Sequence, residues 1–263
     1  MSERFPGNHR VLAVANIAGS AGKTTTVVTL ASLLAEQGRR VLVVDLDGQA
    51  NASTWLGVEQ PAATTADVLL KRSPVEDVVV ETSVAGVSLL PADEGLYGLD
   101  QQIAASPSVG SEQRLRVALR RVRDEHDVVL LDCPGAINSA TFAALIAADA
   151  VLSVVMPTVK ELEGVPKLAG IVEEVVEAYG GDLSLRAVIP CAVPPASAGK
   201  MYAEAVAMLH EDMPELATPS VRRSVRVAEA YAHRIPLPAW AARAEATQDY
   251  RAVLEWLIER GLA

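Results

Sequence analysis

Runs of consecutive apolar residues recur along the chain, and most end at a small or acidic position. Val11-Leu12-Ala13-Val14 comes first, and Val41-Leu42-Val43-Val44 follows, running into Asp45-Leu46-Asp47. Val128-Val129-Leu130-Leu131 ends at Asp132, and Ala150 to Val155 and Arg186 to Ile189 complete the set. Short unalternating runs of this kind suit strands buried on both faces, as in a parallel sheet. Helical spacing fills the gaps. Thr25 to Gln37 clusters Val28, Leu30, Ala31, Leu33 and Leu34 before a stop at Gly38. Glu112 to Glu125 predicts a charged helix with Leu115, Ala118, Leu119 and Val122 on one face. Further helices are predicted over Asn138 to Ala148, Lys160 to Tyr179 (closed by Gly180-Gly181), Met201 to His210, Val221 to His233 and Arg243 to Arg260. Gly48 to Gly57 and Pro91 to Gly98 read as loops, while Asp67 to Leu70 and Val78 to Leu90 mix short helix and strand signals. No linker, repeat or low-complexity tract interrupts the alternation. The expectation is one α/β domain over residues 1–263, with a doubly wound, mostly parallel sheet.

The first strand leads into Ala15-Asn16-Ile17-Ala18-Gly19-Ser20-Ala21-Gly22-Lys23-Thr24-Thr25-Thr26, a small-residue stretch that opens the first helix. Strand, small-residue loop and helix start in that order give the context that a phosphate-binding loop needs, with Ile17 where the standard pattern has Gly; the alternative is small residues in a turn after a strand. Backbone N–H groups from Gly19, Ser20, Ala21, Gly22 and Thr25 face an anion, and the helix dipole favours negative charge there. Lys23 is placed to reach the terminal phosphates, and the Thr24 hydroxyl to bind magnesium.

Acidic residues at the ends of parallel strands share the edge where such a loop binds its ligand. Asp132 is therefore the candidate that holds magnesium, directly or through water; the alternative is an Asp that caps the next turn. Asp47, beside the loop, is placed to orient the attacking water, to sense the γ-phosphate and to approach the metal. Asp45 lies deeper in the strand pattern and is expected to orient its neighbours by hydrogen bonds.

Composition narrows the partners. The 263 residues carry a net charge of −10, so any nucleic-acid contact needs a local basic patch. Two cysteines without metal spacing, Cys133 and Cys191, suggest a reducing compartment and no disulfide framework. No apolar run approaches the roughly 20 residues that span a bilayer, and the first ten residues are polar, so a cytoplasmic protein is expected.

Three segments together carry a resemblance. Asp45-Leu46-Asp47-Gly48-Gln49-Ala50-Asn51-Ala52-Ser53 is similar to the second ATPase motif of ParA-type partition ATPases, the branch of P-loop proteins with a deviant Walker A loop that also contains Soj and MinD. Val129-Leu130-Leu131-Asp132-Cys133-Pro134-Gly135 resembles the Walker B segment, and Ser220 to Ala230 resembles the C-terminal signature. With Leu90-Pro91-Ala92 and Glu163-Gly164, the similarity covers essentially the whole chain. It implies a Mg-ATP-dependent ATPase that forms a nucleotide sandwich homodimer and binds double-stranded DNA without sequence preference. A ParB-like centromere-binding partner would stimulate hydrolysis and release it, moving plasmids or chromosome origins over the nucleoid. The chain starts almost at its first strand, so operator binding through an N-terminal extension is not expected. Catalytic roles fall on Lys23 and Asp47, metal binding on Thr24, Asp132 and Asp47, and DNA contact on Arg222, Arg223, Arg226 and Lys200.

The chain departs from the family pattern at three places. Ala18 stands where the family has its signature lysine, and Ser20 replaces a glycine. A contact aimed at developing charge can contribute roughly 3–4 kcal/mol, so weak hydrolysis, or a dimer held by other contacts, is expected. Gly48 replaces a proline, which predicts a looser switch segment. Pro190-Cys191-Ala192-Val193-Pro194-Pro195 lacks the polar residues on the adenine side, leaving backbone carbonyls near Pro190 and Pro219 to supply that contact. The alternative function is a weakly or non-hydrolysing, nucleotide-dependent positioning protein of the MinD-like type. The arginine cluster has its own alternative, a solvated face with salt bridges to Glu229 or Glu215; on a helix, Arg222 and Arg226 would share that face. The run Arg114, Arg116, Arg120, Arg121 and Arg123 reads as a solvated helix face. The terminal helix, with Val253, Leu254, Trp256, Leu257 and Ile258, reads as core packing rather than a membrane anchor, and Cys133 as a buried structural thiol.

Overall fold

The computed structural model describes residues 10–17, 22–105 and 110–263. In chain order the elements are β1 (Arg10–Ala15), α1 (Lys23–Glu36), β2 (Val41–Asp45), α2 (Asn51–Trp55), α3 (Thr65–Leu69), β3 (Val80–Glu81), β4 (Val87–Leu90), α4 (Leu99–Ala105), α5 (Arg114–Val122) and β5 (Val128–Asp132). Then follow α6 (Ser139–Ala147), β6 (Ala150–Val155), α7 (Val159–Leu162), α8 (Gly164–Tyr179), β7 (Leu185–Pro190), α9 (Lys200–Asp212), α10 (Val225–Ala232), α11 (Leu237–Trp240) and α12 (Glu245–Glu259).

The apolar runs are the strands. They form one seven-stranded sheet in the order β3-β4-β2-β5-β1-β6-β7, parallel except for the short β3 at one edge. Side chains alternate across the pleat and feed two cores. Leu12, Val14, Val41 and Val43 join one cluster with α1, α11 and α12, while Val11, Ala13, Leu42 and Val44 join the other with α5, α6 and α8. Every residue of β2 and β5 is buried, which is why their sequences show no polar alternation. On α12, Val253, Leu254 and Leu257 are buried, in accord with a packing helix, and Trp256 is half-buried. Among the described residues no helix is long and apolar enough to cross a membrane.

The stretch Gly48 to Gly57, read as a loop, contains the short helix α2, and two helical expectations also need correction. The helix expected from Lys160 to Tyr179 is two pieces, α7 and α8, meeting at Glu163. Pro166 has no N–H to return to the Leu162 carbonyl, so the ladder breaks there. The helix expected from Val221 begins only at Val225, with the Ser224 side chain accepting from the Arg226 N–H at 3.3 Å. Val221 to Arg223 are extended instead, because their N–H groups are used elsewhere. Val221 donates to the Pro190 carbonyl at 2.8 Å and Arg223 to the Val193 carbonyl at 2.8 Å. Arg222 therefore precedes the helix and shares no helix face with Arg226. The charged helix is α5, flanked by 3-10 turns at Ser111–Gln113 and Arg123–Glu125. Only part of its arginine run is a solvated face: Arg120 and Arg121 are exposed, with Arg121 pairing with Glu76 at 3.5 Å, whereas Arg114 and Arg116 are half-buried and Arg114 donates to the Leu69 carbonyl at 2.6 Å.

Candidate nucleotide site

β1 lies between β5 and β6, so the stretch that follows it emerges in the middle of the sheet's C-terminal edge. Ala18, Gly19, Ser20 and Ala21 lie outside the described residues. Gly22 caps α1 with a left-handed backbone, φ +88°. A Cβ there would stand 2.9 Å from the Cys191 sulfur, so this position needs both the conformation and the size of glycine. Lys23 is buried at the first turn of α1, with Thr24 and Thr25 half-buried beside it.

Asp132 is level with Val14 of β1 on one side and with Asp45 of β2 on the other. Its side chain is buried, and neither carboxylate oxygen has a hydrogen-bond partner. Burial pushes its pKa well above the usual carboxylate range, and the neighbouring Asp45 charge adds to this. The nearby Thr24 hydroxyl and Lys23 ammonium pull it down. A buried carboxylate without donors is costly unless a cation meets it. A hydrated divalent ion between Thr24 and Asp132 fits this donor set, since magnesium takes oxygen ligands and keeps its waters.

Asp45 is also fully buried but is well supplied with donors. Ser53 gives it both its N–H (2.9 Å) and its hydroxyl (2.8 Å), and the Asp47 N–H donates at 3.1 Å. Burial lifts its pKa to about 6, with the Ser53 and Asp47 donors opposing the rise. Its task is orientation, as expected: it ties the start of α2 to the end of β2. Asp47 is half-buried at the same edge. Its carboxylate accepts the Gln49 N–H at 3.0 Å and its carbonyl the Ala50 N–H at 2.8 Å, which closes a tight turn.

Gly48 is buried, because the ring of Tyr97 lies on its backbone. Pro190 ends β7 and its carbonyl accepts from Val221, while the Pro219 carbonyl accepts the Thr218 hydroxyl at 2.9 Å. Both carbonyls are thus already engaged once. Cys133 is buried, as expected of a structural thiol, and among the described residues no group of three or more His, Cys, Asp or Glu side chains is placed to hold a metal ion.

The basic cluster is largely neutralised. Arg222 forms a two-pronged contact with Asp249 (2.7 and 3.0 Å) and pairs with Glu245 at 2.9 Å. Arg226 pairs with Glu229 at 2.7 Å. Arg223 and Lys200 are exposed.

Residues 9–185 match the family model described as an AAA domain. The chain is 39% identical to the chromosome partitioning protein ParA of Caulobacter vibrioides over 184 residues, covering 68% of each. It is 31% identical to the sporulation initiation inhibitor protein Soj of Bacillus subtilis, over 92% of this chain and 95% of that one. The chain belongs to the ParA-type P-loop ATPases. Among solved structures, an ATP complex of McdA from Cyanothece superposes with a TM-score of 0.84 at 26% identity, over 95% of this chain and 97% of that one. This ParA-type chain therefore sits among partition and positioning ATPases, and its seven-stranded, mostly parallel sheet is the fold of that group.

Motif reasoning missed three contacts of this ParA-type site. Tyr97 on Gly48 left no periodic trace. The Thr26 hydroxyl meets the Tyr250 hydroxyl at 3.2 Å, which in turn lies 3.4 Å from the Cys191 sulfur. Asn16, just before the loop, donates to Glu161 of α7 at 2.9 Å. Only the last had a visible signal, a polar residue directly after an apolar strand.

Proposed function

We propose that this chain is a Mg-ATP-dependent ATPase that positions cargo over DNA. ATP would close a sandwich homodimer, the dimer would bind duplex DNA without sequence preference, and a ParB-like partner would stimulate hydrolysis and release it. The observation that carries the nucleotide part is the donorless Asp132 carboxylate, buried between the loop strand β1 and the Asp45-to-Asp47 segment. In this reading Gly19, Ser20, Ala21, Gly22 and Thr25 cradle phosphate, and Lys23 neutralises its charge. Thr24 and Asp132 hold magnesium, with Asp47 close to it. Bound magnesium would offset phosphate charge as the terminal bond breaks. Asp47 orients the attacking water, and Asp45 fixes the turn that carries Asp47.

DNA contact in this reading falls on Arg223 and Lys200, because Arg222 and Arg226 already have carboxylate partners. That same pairing, together with Ala18 at the signature-lysine position, favours a second reading: a slowly hydrolysing, nucleotide-dependent positioning protein. Binding to random-sequence duplex DNA decides between them, measured with Mg-ATP, Mg-ADP and no nucleotide over a salt series. ATP-selective binding that weakens steeply with salt supports the first reading. Absence of DNA binding in protein that demonstrably binds Mg-ATP supports the second.

A further inference from the structure

Tyr97 sits in the 3-10 turn Glu94–Gly98 that follows β4, yet its ring reaches across to the segment after β2. A Cβ built on Gly48 would stand 2.9–3.0 Å from three of its ring carbons. The Tyr97 hydroxyl accepts from the Gln49 side-chain amide. The base of the turn is fixed. Leu96 and Leu99 are buried on either side, and Asp93 accepts the Gly95 N–H at 3.0 Å and the Thr64 hydroxyl at 3.2 Å. A second, inner link joins the same two loops, where the Ala92 N–H donates to the Ser53 hydroxyl at 2.9 Å and that hydroxyl donates to Asp45. Tyr97 is 60% exposed, so its ring can leave without opening either core.

We infer that Tyr97 is a positioning residue for hydrolysis: its ring clamps Gly48 and its hydroxyl holds Gln49, so the turn presents Asp47 in a single orientation. This rests on the assignment of Asp47 as the residue that orients water. The buried Asp45–Ser53–Ala92 link holds one side of the turn and Tyr97 the other. Without the outer clamp, the residues flanking Asp47 gain backbone freedom while the phosphate cradle is untouched. Only glycine at position 48 admits the ring, so a side chain there evicts Tyr97 and has the same effect as deleting it. Group positioning of this kind acts on turnover more than on ground-state binding.

The test uses the full chain and four variants, Tyr97→Phe, Tyr97→Ala, Gly48→Ala and the Tyr97→Ala/Gly48→Ala double. Three quantities are compared with wild type: Mg-ATP affinity, single-turnover hydrolysis, and hydrogen–deuterium exchange of residues 46–51 without nucleotide. Tyr97→Ala and Gly48→Ala are each expected to speed exchange severalfold and to slow hydrolysis ~10-fold at unchanged ATP affinity. The double variant matches either single, because both remove one contact. Tyr97→Phe keeps the ring and retains most of the protection. Wild-type exchange in Tyr97→Ala, or additive losses in the double variant, overturns the inference. If wild type binds no Mg-ATP, the proposed function fails, and the exchange measurements still decide whether the clamp exists.

Discussion

Asp45 and Asp132 stand directly opposite each other across β2 and β5, both fully buried, and only Asp45 has hydrogen-bond donors. In the proposed reading this difference separates an acid that orients its neighbours from one that meets a cation. Replacing Asp132 by Asn removes a buried carboxylate that Lys23 and Thr24 offset only in part in the free protein. The nucleotide-free variant is expected to be at least as stable as wild type in thermal denaturation. Its Mg-ATP turnover should fall ~100-fold, within the loss associated with removing one charge-stabilising group. Asp45→Asn should behave in the opposite way, losing stability even without nucleotide because Ser53 and Asp47 then donate toward an amide.

Tyr250→Phe removes the bridge between the Thr26 hydroxyl and the Cys191 thiol, all within the core beside Gly22. A lost buried hydrogen bond of this type costs about 1 kcal/mol, which urea titration should read as a lower midpoint at unchanged slope.

Gly22→Ala meets two obstacles, the left-handed backbone and the Cys191 sulfur. The backbone alone costs about 1–2 kcal/mol. Because the residue caps the helix that carries Lys23, fluorescent ATP-analogue binding should be weakened more than overall stability. Cys191→Ala in the same chain should relieve only the steric part.

Arg222→Ala should leave DNA affinity nearly unchanged and loosen α12, since its guanidinium is committed to Asp249 and Glu245. Arg223→Ala with Lys200→Ala should instead weaken DNA binding and flatten its salt dependence. The slope of log affinity against log salt distinguishes the two outcomes.

Arg40 and Asp127 close the N-terminal ends of β2 and β5, with the Asp127 carboxylate accepting from the Arg40 guanidinium at 2.7 Å and from its backbone N–H at 2.9 Å. These donors lower the Asp127 pKa from 3.8 to about 2. A carboxylate lowered by folding stabilises the native state above its unfolded pKa and loses that effect as pH falls through the folded one. Urea midpoints of wild type and Asp127→Asn should therefore differ at pH 6 and converge between pH 3.8 and about 2.

The strands were legible because both faces of the sheet are covered, which leaves unbroken apolar runs such as Val128 to Leu131. Asp132 was legible for the same reason, as the first charge after such a run. The break at Glu163 had a signal, Pro166, that the periodicity of the surrounding residues outweighed. The extended path of Val221 to Arg223 had none, since it depends on pairing with the end of β7. Tyr97 was hidden as well, because its partner Gln49 lies 48 positions earlier in an aperiodic loop and glycine bears no pattern of its own.

The hydrogen bond between Thr26 and Tyr250 spans 224 positions of sequence. Synthesis on the ribosome delivers α1 long before α12. Until α12 has emerged, the helix that bears Lys23 lacks the aromatic buttress beside it, and the apolar face it shares with α12 stays uncovered. In a nascent chain of this protein α1 therefore waits, over more than two hundred residues of synthesis, for the packing that fixes it.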